Sequence, residues 1–292
     1  NIYGPYEDRI VLAQGRTNIN GPHQGAYIEL ENGEAWFLHF QDRDAYGRIV
    51  HLQPVIWKDD WPVIGEDKQG DGTVAPVRIF KKPDVGKIYP IIVPQTSDEF
   101  DFEKLGLQWQ WHANYQKSWF SLTEKKGFLR LYSQNLPDSA GNFWSAPNLL
   151  LQKFPAPEFT VSTKITFHPE VLNEKSGLII MGRDYAYLAL QKSTQGFSLI
   201  QAACSNADDG GEDFVVDQII VNRKRLYLRA KVDNEALCHF FYSFDGKEFH
   251  QIGKPFQAKP GRWIGAKVGL FAVRSDSSQA GGFADFDFFR IE

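Results

Sequence analysis

The side chains in this sequence that could do chemistry are spaced in ways that exclude much of it. Asp67 and Asp71, in "DKQGDG", have the flavour of cation ligands but lack the spacing and the closing Glu of an EF-hand loop. A polar hairpin tip is expected there. Asp208, Asp209 and Asp213 form a second acidic turn, expected to be solvated. Glu7 follows Gly4-Pro5-Tyr6 and reads as a strand-end glutamate rather than a general acid. Cys204 and Cys238 make neither a disulfide framework nor a metal motif, so small buried core residues are expected. Taken alone, His23 reads as a hydrogen-bonded core histidine and Arg48 as a surface arginine at a strand entry. Trp109 and Trp111 alternate on one strand face and are expected to pack together, in a core or at a domain interface. Trp119 and Trp144 leave two readings open, core residues or an exposed platform on which a sugar ring stacks.

These residues need elements to hold them, and the bulk properties narrow the choice. The chain has 292 residues, enough for two domains with separate cores. Its net charge of -4 is spread along the chain, with no basic stripe to follow a phosphate backbone, so nucleic acid is excluded as a partner. No apolar run approaches the roughly 20 residues that span a bilayer, so no membrane partner is expected. Residues 1–9 carry neither an initiator Met nor a signal peptide. The expectation is a processed terminus or a piece of something longer.

The periodicity is β almost throughout. Strands are expected at 26–30 and 35–40 around Asn32-Gly33, a type I′ hairpin signal, and then at 49–57 and 61–64. Within 1–72, residues 1–64 hold little more than one four-stranded propeller blade, and one blade cannot close a propeller because its faces stay uncovered. Pro76, Pro83, Pro90 and Pro94 mark 73–97 as an extended linker. From 98 to 292, short strands recur with turns such as Asp245-Gly246 between them, the pattern of an all-β sandwich. Residues 225–232 alternate cleanly, which predicts one solvated face.

Two separated regions resemble glycoside hydrolase family 43. In the first, "NIYGPYED", "GPHQGAYIEL", "EAWFLHFQD" and "YGRIVHLQPVIWKDDWPVIG" look like the last strands of that family's catalytic propeller. In the second, "SDEFDFEKLGLQWQWHAN", "GFLRLY", "YSFDGKEF" and "ADFDFFRIE" look like its appended sandwich. The resemblance is strongest to two-domain members with β-xylosidase or α-L-arabinofuranosidase activity. It implies an all-β chain: part of a five-bladed β-propeller (the last blade or blades) followed by a concanavalin A-like β-sandwich.

The resemblance also implies a chemistry. Family 43 enzymes are inverting glycosidases, with an acid and a base roughly 6.5–9.5 Å apart so that water fits between base and sugar. The acid Glu and two Asp are expected upstream, leaving no catalytic residue in this chain, which alone is expected to be inactive. The missing N-terminal propeller portion becomes a necessary partner, and the substrates implied are xylose- or arabinose-bearing hemicellulose oligosaccharides. His23, in "GPHQGA", matches a histidine at the floor of the funnel, near a water-coordinated ion such as calcium. Arg48, in "YGR", matches an arginine that hydrogen-bonds the sugar. Trp263, in "GRWIGAKVG", matches a loop aromatic that walls off the sugar; a core tryptophan under a loop is the competing reading. Glu99 and Asp287 are the expected oxygen donors for a structural calcium where the first and last strands meet. A polymer-degrading enzyme of this kind is expected to be secreted or periplasmic. The rival function is a non-catalytic carbohydrate-binding sandwich.

Overall fold

Strict alternation forces one face of a strand to be dry and the other wet, and 225–232 follows that rule, with Leu226, Leu228, Ala230 and Val232 fully buried. Residues 175–181 do not alternate. Apart from Lys175 that strand is buried on both faces, as a continuous apolar run should be when both faces are covered. The computed structural model describes residues 2–22, 24–136, 141–275 and 280–292. Among them, helix is confined to short 3-10 turns, and no helix is long and apolar enough to cross a membrane.

The chain divides into two units, residues 1–43 with 48–92, and residues 44–47 with 93–292. The first unit is a four-stranded antiparallel sheet in sequential order: β1 (Gly25–Glu29), β2 (Ala35–Asp42), β3 (Arg48–Lys58) and β4 (Trp61–Ile64). The hairpin joining β1 and β2 is present, but not with a type I′ turn. Gly33 alone takes positive φ (82°), and its N–H donates to the Leu30 carbonyl at 2.9 Å. Asn32 is held otherwise: its Oδ1 accepts from the Glu34 N–H at 3.0 Å and its Nδ2 donates to the Asp84 carbonyl at 3.1 Å. Tertiary contacts, not the dipeptide, choose the turn.

Beyond β4 the chain stays close to this sheet for some distance. Glu66 and Ala75 form an isolated bridge. The buried Gln53 amide grips Val77, accepting from its N–H at 2.7 Å. Glu34 accepts from Lys81 Nζ at 2.5 Å and from the Asp84 N–H at 3.0 Å. The segment 78–97 forms no strand.

The second unit is two antiparallel sheets. Its strands are β5 (Gln110–Trp111), β6 (Phe120–Ser121), β7 (Leu129–Tyr132), β8 (Gln134–Asn135), β9 (Leu150–Lys153), β10 (Phe159–His168) and β11 (Lys175–Met181). Then come β12 (Tyr185–Ser193), β13 (Gly196–Cys204), β14 (Phe214–Ile220), β15 (Arg225–Val232), β16 (Leu237–Ser243), β17 (His250–Gln257), β18 (Lys267–Arg274) and β19 (Phe283–Ile291). One sheet runs β17-β16-β15-β10-β19-β7-β6, the other β14-β13-β12-β11-β18-β9-β5, with β8 pairing in parallel to β18. The main core lies between them, where Val161, Leu228, Phe240 and Phe286 of the first sheet meet Leu178, Leu188 and Leu270 of the second. A smaller cluster covers the outer face of the second sheet: Phe143, Ala146 and Leu149 pack on Leu151, Ile179, Tyr187 and Phe271. Gly177 lets the β12 backbone approach, since a Cβ there would stand 2.1 Å from the Leu188 carbonyl oxygen.

Strand β17 carries little strand signal, because "HQIGKPFQ" contains Gly253 and Pro255. Both are tolerated because β17 is an edge strand with an irregular register opposite 238–240. Cys204 and Cys238 are free thiols, buried in the outer and inner clusters respectively.

Candidate functional site

On the first sheet the register places Gly25, His39 and His51 side by side, with Gln41 and Gln53 on the same face. The His39 and His51 rings stack with centroids 5.4 Å apart. His51 Nε2 lies 3.2 Å from Gln41 Oε1, and Gln41 Nε2 donates to the Asn18 carbonyl at 2.5 Å. Burial lowers the pKa of both imidazoles. The pair is therefore neutral near pH 7, and the buried His39 Nε2 has no hydrogen-bond partner among the described residues. This polar row was missed in the sequence. Its signal was there: His39, Gln41, His51 and Gln53 all fall at period two inside apolar strands, a stripe that alternation alone assigns to solvent.

The residues singled out by resemblance are distributed as follows. His23 lies outside the described residues. Arg48 opens β3 opposite Asp42, on the face away from His39, with its guanidinium 4.4 Å above the Phe40 ring. In the second unit, Trp263 is 80% exposed and takes φ of 64°, a left-handed conformation uncommon for a bulky residue. The competing reading, a core tryptophan under a loop, does not fit that exposure. Next to it, Arg262 lies 5.9 Å from the Trp144 ring and 3.5 Å from Asp208.

Glu99 and Asp287 are each engaged by a cation. Glu99 takes two hydrogen bonds from Arg290, at 2.7 and 2.8 Å, and Asp287 pairs with Lys164 at 2.5 Å. Among the described residues no three His, Cys, Asp or Glu side chains converge as metal ligands would.

Other candidates resolve by burial. Trp119 is buried, edge-on to Trp111 at 5.6 Å, so it is a core residue and not a sugar platform. Trp109 and Trp111 take separate aromatic partners: Trp109 lies against Phe289 at 4.8 Å and donates to Asp98 at 2.8 Å, while Trp111 joins Trp119 and Phe120. Asp67 caps the backbone of Gly70 and Gly72 at 2.8 and 3.0 Å, the expected hairpin tip. In the second acidic turn Asp209 is exposed as expected, but Asp208 and Asp213 are not freely solvated. Asp213 accepts from the hydroxyls of Tyr185 and Tyr187, and Asp208 bridges Arg183 and Arg262. Those partners lie outside the turn itself, so local composition could not reveal them.

Two antiparallel sheets around one apolar layer, with almost no helix, place the second unit among concanavalin-like β-sandwiches. The chain belongs to glycoside hydrolase family 43 through the family described as the beta xylosidase C-terminal concanavalin A-like domain, which matches residues 97–292. It is 34% identical over 316 residues to a beta-xylosidase of Formosa agariphila, covering 100% of this chain and 51% of the relative. It is also 31% identical over 218 residues to a non-reducing end alpha-L-arabinofuranosidase of Bacteroides ovatus, covering 68% of this chain and 39% of the relative. The solved structure of a xylan beta-1,4-xylosidase from Bacillus halodurans superposes with a TM-score of 0.81 at 25% identity, covering 100% of this chain and 58% of that one. The chain thus spans about half the length of the curated relatives it matches.

Proposed function

We propose that this chain is the C-terminal part of an inverting, exo-acting glycoside hydrolase that releases xylose or arabinofuranose from xylan-type hemicellulose. In this reading the four-stranded sheet of the first unit is a blade of a five-bladed propeller, and the acid and base carboxylates lie in polypeptide upstream of residue 1. The observation that carries it is the end-to-end match to roughly half of a beta-xylosidase. A four-stranded antiparallel sheet is the unit of a propeller blade. The names of the relatives support both a xyloside and an arabinofuranoside as substrate.

Release of p-nitrophenol from p-nitrophenyl β-D-xylopyranoside and α-L-arabinofuranoside tests the reading. The chain alone is expected to give no turnover, and a polypeptide that includes the upstream sequence is expected to turn over at least one of the two, with inversion at the anomeric carbon by NMR. Robust turnover by these 292 residues would falsify the placement of the carboxylates.

A further inference from the structure

A buried lysine without a counter-ion among the described residues marks one end of the second sheet's outer face. Lys267 opens β18 directly opposite Lys153 on β9 and Met181 on β11, and only 9% of it is exposed. Residues opposite one another in antiparallel strands share a face, so both lysines lie on the outer face with Met181 and Leu151, Lys153 being exposed there. Like charges directly opposite repel, and burial makes an unpaired charge more costly still. Burial and the Lys153 charge together lower the Lys267 pKa, and no carboxylate among the described residues offsets them.

The neighbouring imidazole adds an acceptor edge, not a donor, to this region. His112, within electrostatic reach of Lys267, sets Nε2 3.0 Å from the Trp144 carbonyl oxygen. The carbonyl can only accept, so the proton is on Nε2; Nδ1 is left buried and without a partner among the described residues. The half-buried Trp144 indole stands edge-on to His112 at 6.1 Å, with Arg262 beyond it. Two ammonium groups opposite each other, with an indole on the same face of the sheet, suit a ligand with a negative charge on a ring.

We propose that this end of the sheet binds a carboxylate carried on a sugar, the uronic acid branch of a xylan-type oligosaccharide, with Lys267 and Lys153 taking the carboxylate and Trp144 flanking the ring. The oligosaccharide backbone in this assignment rests on the hemicellulose reading above; the carboxylate site does not.

Calorimetric titration of the 292-residue chain at low ionic strength tests it, with glucuronate-branched xylotriose against plain xylotriose. The branched sugar is expected to bind at least tenfold tighter, and Lys267→Gln to abolish the difference. Lys153→Gln is expected to reduce it, which keeps the test open should the first variant fail to fold. Lys267→Met is expected to raise the thermal midpoint without ligand, because it removes an uncompensated charge. No binding, equal binding of the two sugars, or a preference that survives both glutamine variants overturns the proposal. Acetate displacing the branched sugar as well as free glucuronate does would also overturn the sugar assignment. Glucuronate binding to which the xylotriose backbone adds nothing keeps the carboxylate site and discards its link to hemicellulose. Xyloside turnover is read in none of these arms, so this proposal and the glycosidase reading fail separately.

Discussion

Arg130 on β7 and Asp285 on β19 face each other as a two-point ion pair, Nε to Oδ1 at 2.8 Å and Nη2 to Oδ2 at 3.1 Å. Lys125 adds a third contact to Oδ2 at 3.2 Å, and the guanidinium lies 3.8 Å over the Phe283 ring. The carboxylate is buried. Burial alone would raise its pKa, but the hydrogen bonds from Arg130 and Lys125 outweigh that and hold it below the ordinary carboxylate range. The pair pins β19 to β7, next to the strand β10 that joins it to the rest of the sheet.

Breaking one side of such a pair leaves buried charge uncompensated. Asp285→Asn is expected to cost about 3–5 kcal/mol, measured by urea unfolding. Because the folded-state pKa is lowered, the contribution is complete above the unfolded value of about 3.9 and is lost as pH falls through the lower folded value. The wild-type urea midpoint should therefore drop below about pH 4, and the variant should lack that part of the drop. A variant as stable as wild type sinks the idea.

The imidazoles of His39 and His51 make the first unit sensitive to acid at higher pH. Their pKa values are lowered, mainly by burial, so stability is full above the unfolded value of about 6.5 and declines as pH falls through the folded values. Amide exchange in β2 and β3 is expected to lose protection as the pH falls below about 6.5, after correction for intrinsic rates. Protection that rises over that range would contradict a neutral pair.

Both thiols should be silent in the folded chain. Burial pushes Cys204 up and Cys238 up to about 12, so almost no thiolate forms at pH 8. Ellman's reagent is expected to react with neither thiol at pH 8 and with both in guanidinium. Rapid native labelling of Cys238 would show that β16 opens.

Trp263 separates stability from binding. Its indole is largely exposed, so Trp263→Ala is expected to change stability by no more than about 0.5 kcal/mol. In a polypeptide that includes the upstream sequence, the same change is expected to raise KM for xylobiose several-fold. Unchanged kinetics would leave this tryptophan without a part in sugar binding.

Much of the β architecture was legible because alternation and turn chemistry are local. Residues 61–64 form a strand with the bounds its pattern indicates, and 225–232 has the wet and dry faces that its alternation predicts. Strand β17 was hidden because Gly253 and Pro255 are acceptable only at an edge, and being an edge is a property of the whole sheet. The turn at Asn32-Gly33 was misread for a similar reason, since Asp84, far along the chain, holds the Asn32 side chain.

Candidate site residues divide in the same way. The family resemblance was needed to raise Arg48 and Trp263, whereas residue type and spacing alone set aside Asp67 and Asp71 as a hairpin tip. Only the folded chain paired His39 with His51, set Lys267 against Lys153, and enclosed Asp213 between two tyrosine hydroxyls. A sequence specifies which groups a strand offers to each face. Whether that face meets water, a cation or another strand depends on register and burial, which long-range pairing alone decides.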